Sequence, residues 1–172
     1  MTAGYIISQI FAILGILTLG ASYLYKNKRQ ILILTLLATI FYGMHNFFLG
    51  ATTGVTMNCI NIVANIWFYT NEKKQKRNSL LVLITLLSVV IIFGILSFQD
   101  MFSLIPIIAT ILFIYSIWQD NTRVYKLIAL PKSIFWISYN IYLKSIFGII
   151  TEVVLLIFKI VGIINHKKRK RR

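Results

Sequence analysis

Asn58, Asn61 and Asn65 stand at spacings of three and four in an apolar stretch, and Glu152 and Lys159 stand in a second one, with the seven-residue separation of Asn58 and Asn65. At about 100° per residue the three asparagines fall within roughly 60° of one another on a helix, so they form one polar stripe. Amide and ionisable groups inside hydrocarbon are costly. They therefore face a bundle interior and are candidates for holding a solute or a proton. Adding 94 to Asn58 gives Glu152, and adding 94 to Asn65 gives Lys159. The same offset pairs Ser22 with Ser116, Asn27 with Asn121, Arg29 with Arg123, Phe41 with Phe135, Asn46 with Asn140, Gly54 with Gly148 and Asn71 with Asn165. Matching Leu or Ile means little in an apolar chain, whereas matching Asn, Gly, Ser and Arg at one offset marks an internal duplication. In transporters the substrate site commonly lies between such repeats.

Each polar residue has a plainer reading. Asn61, whose counterpart is Leu155, reads as a hydrogen-bonding tie between helices, worth about 0.6 kcal/mol. Lys159, about five residues from the end of its span, reads equally as lining a cavity or as snorkelling outward. Glu152 lies about 9 Å from the nearer end of its span at 1.5 Å per residue, too deep for a short side chain to escape. It is either protonated or paired, and Lys132, within about 6 Å of its depth, is the expected partner. Tyr42 and Trp136 are repeat-equivalent and deep in their spans, away from the interfaces where such rings anchor. Core packing is the usual role of such rings, and two flat walls around a ligand are the alternative.

The elements that must position these residues are membrane spans. Mean hydropathy is +0.81, with 58% hydrophobic and 13% charged residues, whereas soluble domains carry about a quarter charged. Residues 30–71 hold no charge and are too long for one span of about 20 residues, so two spans meet there at the turn around Gly50. The whole chain divides into seven expected spans, at residues 5–25, 31–48, 51–70, 80–98, 101–118, 124–143 and 146–164. The first lacks the basic start and cleavage site of a signal peptide and reads as a retained helix. Cys59 is alone, which removes a disulfide or CxxC site.

The net charge of +14 is concentrated in alternate connections, after spans one, three, five and seven. The positive-inside rule then puts the N-terminus outside and the basic tail, 167–172, in the cytoplasm. Spans one to three and five to seven become parallel repeats, with span four as the inverting linker. The division is 1–78 for the first repeat, 79–99 for the linker, 100–166 for the second repeat and 167–172 for the tail. Basic residues beside spans point to topology and anionic lipid rather than to nucleic acid. No phosphate loop, zinc spacing or Ser-His-Asp set is present, so neither an enzyme nor a metal or cofactor is expected. His166 is isolated, and His45 reads as a helix-end hydrogen-bonding residue.

The 3+1+3 arrangement resembles the SWEET and PQ-loop superfamily. More closely, the segment from Leu49 through Gly54 to Asn58, and the segment from Phe135 to Asn140, resemble the YgjV-like bacterial inner-membrane family over nearly the whole chain. In SWEET carriers an aromatic from the second helix of each repeat and an Asn from the third line the pocket. The resemblance therefore implies a substrate site at Tyr42, Asn58, Trp136 and Glu152, to which the polar stripes add Asn65 and Lys159. It also implies hinges at prolines: Pro106 matches, Ala12 stands in its place in the first repeat, and Pro131 is in a new position. Glu152 in place of the second Asn favours a polar, cationic or amine-bearing solute, or proton linkage, over plain sugar; the related nicotinamide riboside carriers share the architecture. The expected role is a small-solute carrier in the inner membrane, with a homo-oligomer as an open assembly state. The competing class is a non-transporting receptor or assembly factor, because a sorting receptor that binds peptide tails uses the same fold.

Overall fold

In a bilayer every backbone N–H and C=O must be satisfied within the protein, so the apolar stretches become helices. The computed structural model describes the backbone of residues 3–168 and the side chains of residues 4–164; the side chains of the expected basic tail, and those of Asn165 and His166, lie outside the described residues. Seven α-helices follow in order: α1 Ala3–Leu24, α2 Lys28–Phe48, α3 Thr52–Lys73, α4 Leu80–Leu96, α5 Leu104–Trp118, α6 Thr122–Tyr142 and α7 Ile146–Lys168. A short 3-10 turn, Met101–Ser103, leads into α5.

Local chemistry sets the boundaries, and it does so twice at the same offset. The Asn27 side chain accepts from the Arg29 N–H at 2.9 Å to start α2, and Asn121 accepts from the Arg123 N–H at 2.9 Å to start α6. Both are N-caps of a preferred type. The α2–α3 hairpin turns on Gly50 at φ 70°, and the α6–α7 hairpin turns on Lys144, the equivalent residue, at φ 53°. Only Gly adopts that left-handed region without a steric penalty, so Lys144 is strained. Ser22 donates to the Leu19 carbonyl and Ser116 to the Phe113 carbonyl, both at 2.6 Å.

Six helices close a ring in the order α1, α2, α3, α5, α6, α7 and back to α1, while α4 packs outside against α3 and α5. Close contact between α7 and α1 depends on Gly162, where a Cβ would meet the Tyr23 carbonyl. Among the described residues, four helical segments are long and apolar enough to cross a membrane: Gly4–Leu24, Lys28–Phe48, Met101–Trp118 and Ile146–Ile164. With 17 residues, α4 is apolar but shorter, about 26 Å at 1.5 Å per residue. The other two, α3 and α6, have the length but carry inward polar groups, among them Asn58, Asn61 and Asn65 on α3 and Lys126 and Lys132 on α6. Outside, Ile, Leu, Val and Phe side chains stand exposed along the helices, the surface expected against lipid tails.

Candidate functional site

The ring encloses a cavity of about 50 Å³, counted over positions open to the centre of a water molecule. One water needs roughly 10–15 Å³ on that measure, so there is room for a few waters or a small polar molecule. Its wall is built from both halves at the 94-residue offset. Leu19 of α1 faces it with Phe113 of α5; Ala38, Tyr42 and Asn46 of α2 with Lys132, Trp136 and Asn140 of α6; and Asn58 of α3 with Glu152 of α7. The small residues are part of the construction. A Cβ on Gly15 would stand 2.9 Å from the Tyr42 ring, so this glycine lets the ring lie against α1.

Several polar atoms at this cavity lack hydrogen-bond partners. The Tyr42 hydroxyl and Asn61 Oδ1 are buried without one. Buried polar groups are ordinarily satisfied, and unsatisfied ones in a roomy polar site call for water or ligand. His45 Nδ1 lies 2.9 Å from the Ser8 carbonyl, which can only accept, so Nδ1 carries the hydrogen. Its Nε2 makes no hydrogen bond of good geometry, although the Asn140 amide is a neighbour.

The two polar stripes are wired differently. Asn58 donates to the Gly54 carbonyl at 2.8 Å and Asn65 to the Asn61 carbonyl at 2.9 Å, each one turn back on α3. Asn65 Oδ1 also accepts from Thr35 at 2.8 Å, which fastens α3 to α2. On α7, Glu152 and Lys159 approach to 3.6 Å, and Ser133 of α6 donates to Glu152 at 2.7 Å while accepting from Lys159. Lys159 is wholly buried, with its Nζ 5.3 Å from the Tyr23 ring centroid.

This geometry revises four expectations. The ion pair of Glu152 is with Lys159 rather than Lys132: two turns of α7 bring Lys159 back toward Glu152, and Ser133 fills the gap between them. Lys132 lies instead over the Phe113 ring, 4.4 Å from its centroid. Lys159 neither snorkels nor lines the cavity, and Asn65 lies beneath the cavity as a tie to Thr35. Asn61, read as a tie, does donate to Thr110 at 3.4 Å, yet it also lines the cavity with its free carbonyl oxygen. Of the prolines, Pro106 sits in the first turn of α5, where no helical N–H bond is lost, and Pro131 alone interrupts a helix interior. Tyr42, Asn58, Trp136 and Glu152 all face the cavity. The residues that sequence reasoning passed over, Asn46 and Asn140, were marked only by their identity across the repeat.

Beyond the cavity, away from the two hairpins, the ring is packed shut. Tyr23 stacks on Tyr125 with ring centroids 5.6 Å apart, amid Ile31, Leu32, Phe68, Ile114 and Ile117. Past this layer Lys28 joins the halves, 3.0 Å from Asp120 and 4.0 Å from Glu72. At the hairpin end Asp100 caps the 3-10 turn through Ser103 and accepts from the Tyr142 hydroxyl, while Phe102 stacks on Tyr142. That hydroxyl, with backbone N–H groups of the turn, holds the exposed Asp100 carboxyl below the usual carboxylate range.

The family described as Imp-YgjV, bacterial inner membrane protein, matches residues 6–170 of the chain. No curated protein and no solved structure matches it.

Proposed function

We propose a role from one premise: the chain belongs to the YgjV family of bacterial inner membrane proteins, and is a multi-pass inner membrane protein. Its function on this reading is to carry a small polar solute through a site between two parallel three-helix repeats, residues 1–78 and 100–166, with α4 as the inverting linker. One observation carries the reading. A polar cavity is lined by residues of both halves at the 94-residue offset, with unpartnered polar atoms on its wall, as a site between rocking halves would be.

The charge pattern orients the carrier. Lys and Arg cluster at the α1–α2, α3–α4 and α5–α6 connections, which places those ends in the cytoplasm and the two hairpins outside. The cavity then lies in the outer half, and the Tyr23–Tyr125 layer with the Lys28–Asp120 pair closes the cytoplasmic side. Rocking would part that layer and close the hairpin end. Pro131, beside the cavity in α6, is the place where a helix has already lost a backbone bond. A Gln99→Cys variant in a Cys59→Ser background should react with an impermeant thiol reagent from outside, and Lys76→Cys should not. Labelling of both from one side would remove α4 as an inverting helix.

Uptake of labelled solutes into proteoliposomes tests transport itself. A carrier takes up its solute faster than protein-free vesicles and releases it by exchange. A receptor or assembly factor with the same helices binds without uptake.

A further inference from the structure

Charge balance in the cavity narrows the solute, given the carrier reading on which this inference rests. The chain has four Asp and Glu residues, and each has a place. Asp120 and Glu72 stand with Lys28 at the far end, and Asp100 stands at the hairpin end with Tyr142 and Ser103. Glu152, the one carboxylate at cavity depth, is taken by Lys159 and Ser133. Lys132 is only 7% exposed and lies on the cavity wall. Its one direct partner among the described residues is the Phe113 ring.

With Lys132 and Lys159 both protonated, two buried ammonium groups stand beside one carboxylate, an excess of one positive charge. A buried ammonium without a counter-charge is costly to keep, and among the described residues no carboxylate is left to hold it. An entering anion supplies that counter-charge. An amine would instead add a second uncompensated cation, so the preference for amines loses its ground once Glu152 is seen to be committed. A dianion would leave charge unbalanced in the other direction. The opposite wall sets a further condition: Asn61 Oδ1 accepts and cannot donate, and it has no partner, so the ligand needs an O–H or N–H.

We infer that the cavity binds a small organic monoanion, a carboxylate that also carries a hydroxyl or amide donor, with its carboxylate on Lys132 and its donor toward Asn61. The Tyr42 hydroxyl is free to complete either contact.

Glycolate and acetate, which differ by one hydroxyl, are suitable probes, with chloride, ethylammonium and glycerol as comparisons. Purified protein is melted with each at equal ionic strength, and uptake of labelled glycolate is followed in proteoliposomes. Glycolate should raise the melting temperature more than acetate, because a bound ligand stabilises by mass action, and glycolate should be taken up. Lys132→Met should weaken glycolate binding by about tenfold or more, and Lys132→Arg should retain most of it. Asn61→Leu should erase the advantage of glycolate over acetate. An equal shift with chloride would mean an inorganic anion site only and overturn the inference. So would a response to ethylammonium or glycerol alone, no response to either carboxylate, or unchanged affinity in Lys132→Met. Lys132-dependent glycolate binding without uptake would sink the carrier reading alone. Uptake of an amine or neutral solute with the carboxylates inert would sink this inference alone.

Discussion

The third helix of the first half and the third helix of the second carry polar residues at the same two places, and they solve the same problem differently. On α3, Asn58 and Asn65 each donate to a carbonyl of their own helix, and Asn65 also accepts from Thr35 of α2. A neutral amide can be satisfied locally. On α7, Glu152 and Lys159 have no such option, because a charge buried in the bundle needs an opposite charge, and they reach each other through Ser133. The position equivalent to Ser133 is Thr39, which only donates to the Thr35 carbonyl of its own helix at 2.7 Å. The 94-residue offset therefore marks where polarity sits, and the residue at each place decides whether it is met by neutral hydrogen bonds or by an ion pair. The same contrast holds one residue earlier, where Ala38 of α2 faces Lys132 of α6 across the cavity.

The sharpest way to break this comparison is at the ion pair. Glu152→Gln or Lys159→Met alone strands a buried charge and should cost about 3–5 kcal/mol, visible as a collapse of the monodisperse fraction and of the melting temperature in detergent. Replacing both by Asn, which gives α7 the residues of α3, should return most of that stability. Additive losses in the double variant would show that the two residues do not act as a pair. The functional counterpart is smaller. Asn58→Ala and Trp136→Ala should each lower uptake about tenfold, roughly 1.4 kcal/mol, with a smaller fall in melting temperature than the ion-pair variants, because each leaves only local contacts behind, Asn58 with the Gly54 carbonyl and Trp136 with the Tyr139 ring. Asn61→Leu should now behave like them.

A weaker effect sharpens the comparison at the hairpins. Lys144→Gly gives the second turn the residue of the first, and by removing the left-handed strain it should stabilise by about 1 kcal/mol in thermal unfolding. Lys144→Val should do the reverse. The smallest effect is expected at Asp100. Its carboxyl is held below the ordinary range in the folded protein, chiefly by the Tyr142 hydroxyl, so it binds its proton less readily there than in the unfolded chain. Its contribution is present above the ordinary carboxylate pKa and is lost as pH falls through the lowered value. A melting curve taken through the acid range should therefore show a slightly shallower decline in Tyr142→Phe than in the parent. An identical profile would show the tie to be without consequence.

The helices were legible because hydrocarbon imposes one rule on the backbone, and apolar runs of the right length announce it. The 94-residue correspondence was legible because Asn27 and Asn121, or Gly54 and Gly148, do the same local work wherever their helices lie. The contact of Tyr42, Asn58, Trp136 and Glu152 with one cavity also followed from matching positions. Partner choice did not follow. Lys132 and Lys159 are both at reasonable depth for Glu152, and depth is a single coordinate; azimuth around the ring, and the intervening hydroxyl of Ser133, separate them. Asn61 and Asn65 share a stripe, yet about 6 Å of rise along α3 places one on the cavity and the other against Thr35.

By itself the sequence determined a helical membrane protein with an excess of buried polarity at places 94 residues apart, because hydropathy, capping chemistry and residue identity are local properties. Only the tertiary structure decided that Glu152 belongs to Lys159 and that Lys132 is left facing the cavity. Pairing of buried charges depends on distances between helices, and no spacing along one chain encodes them.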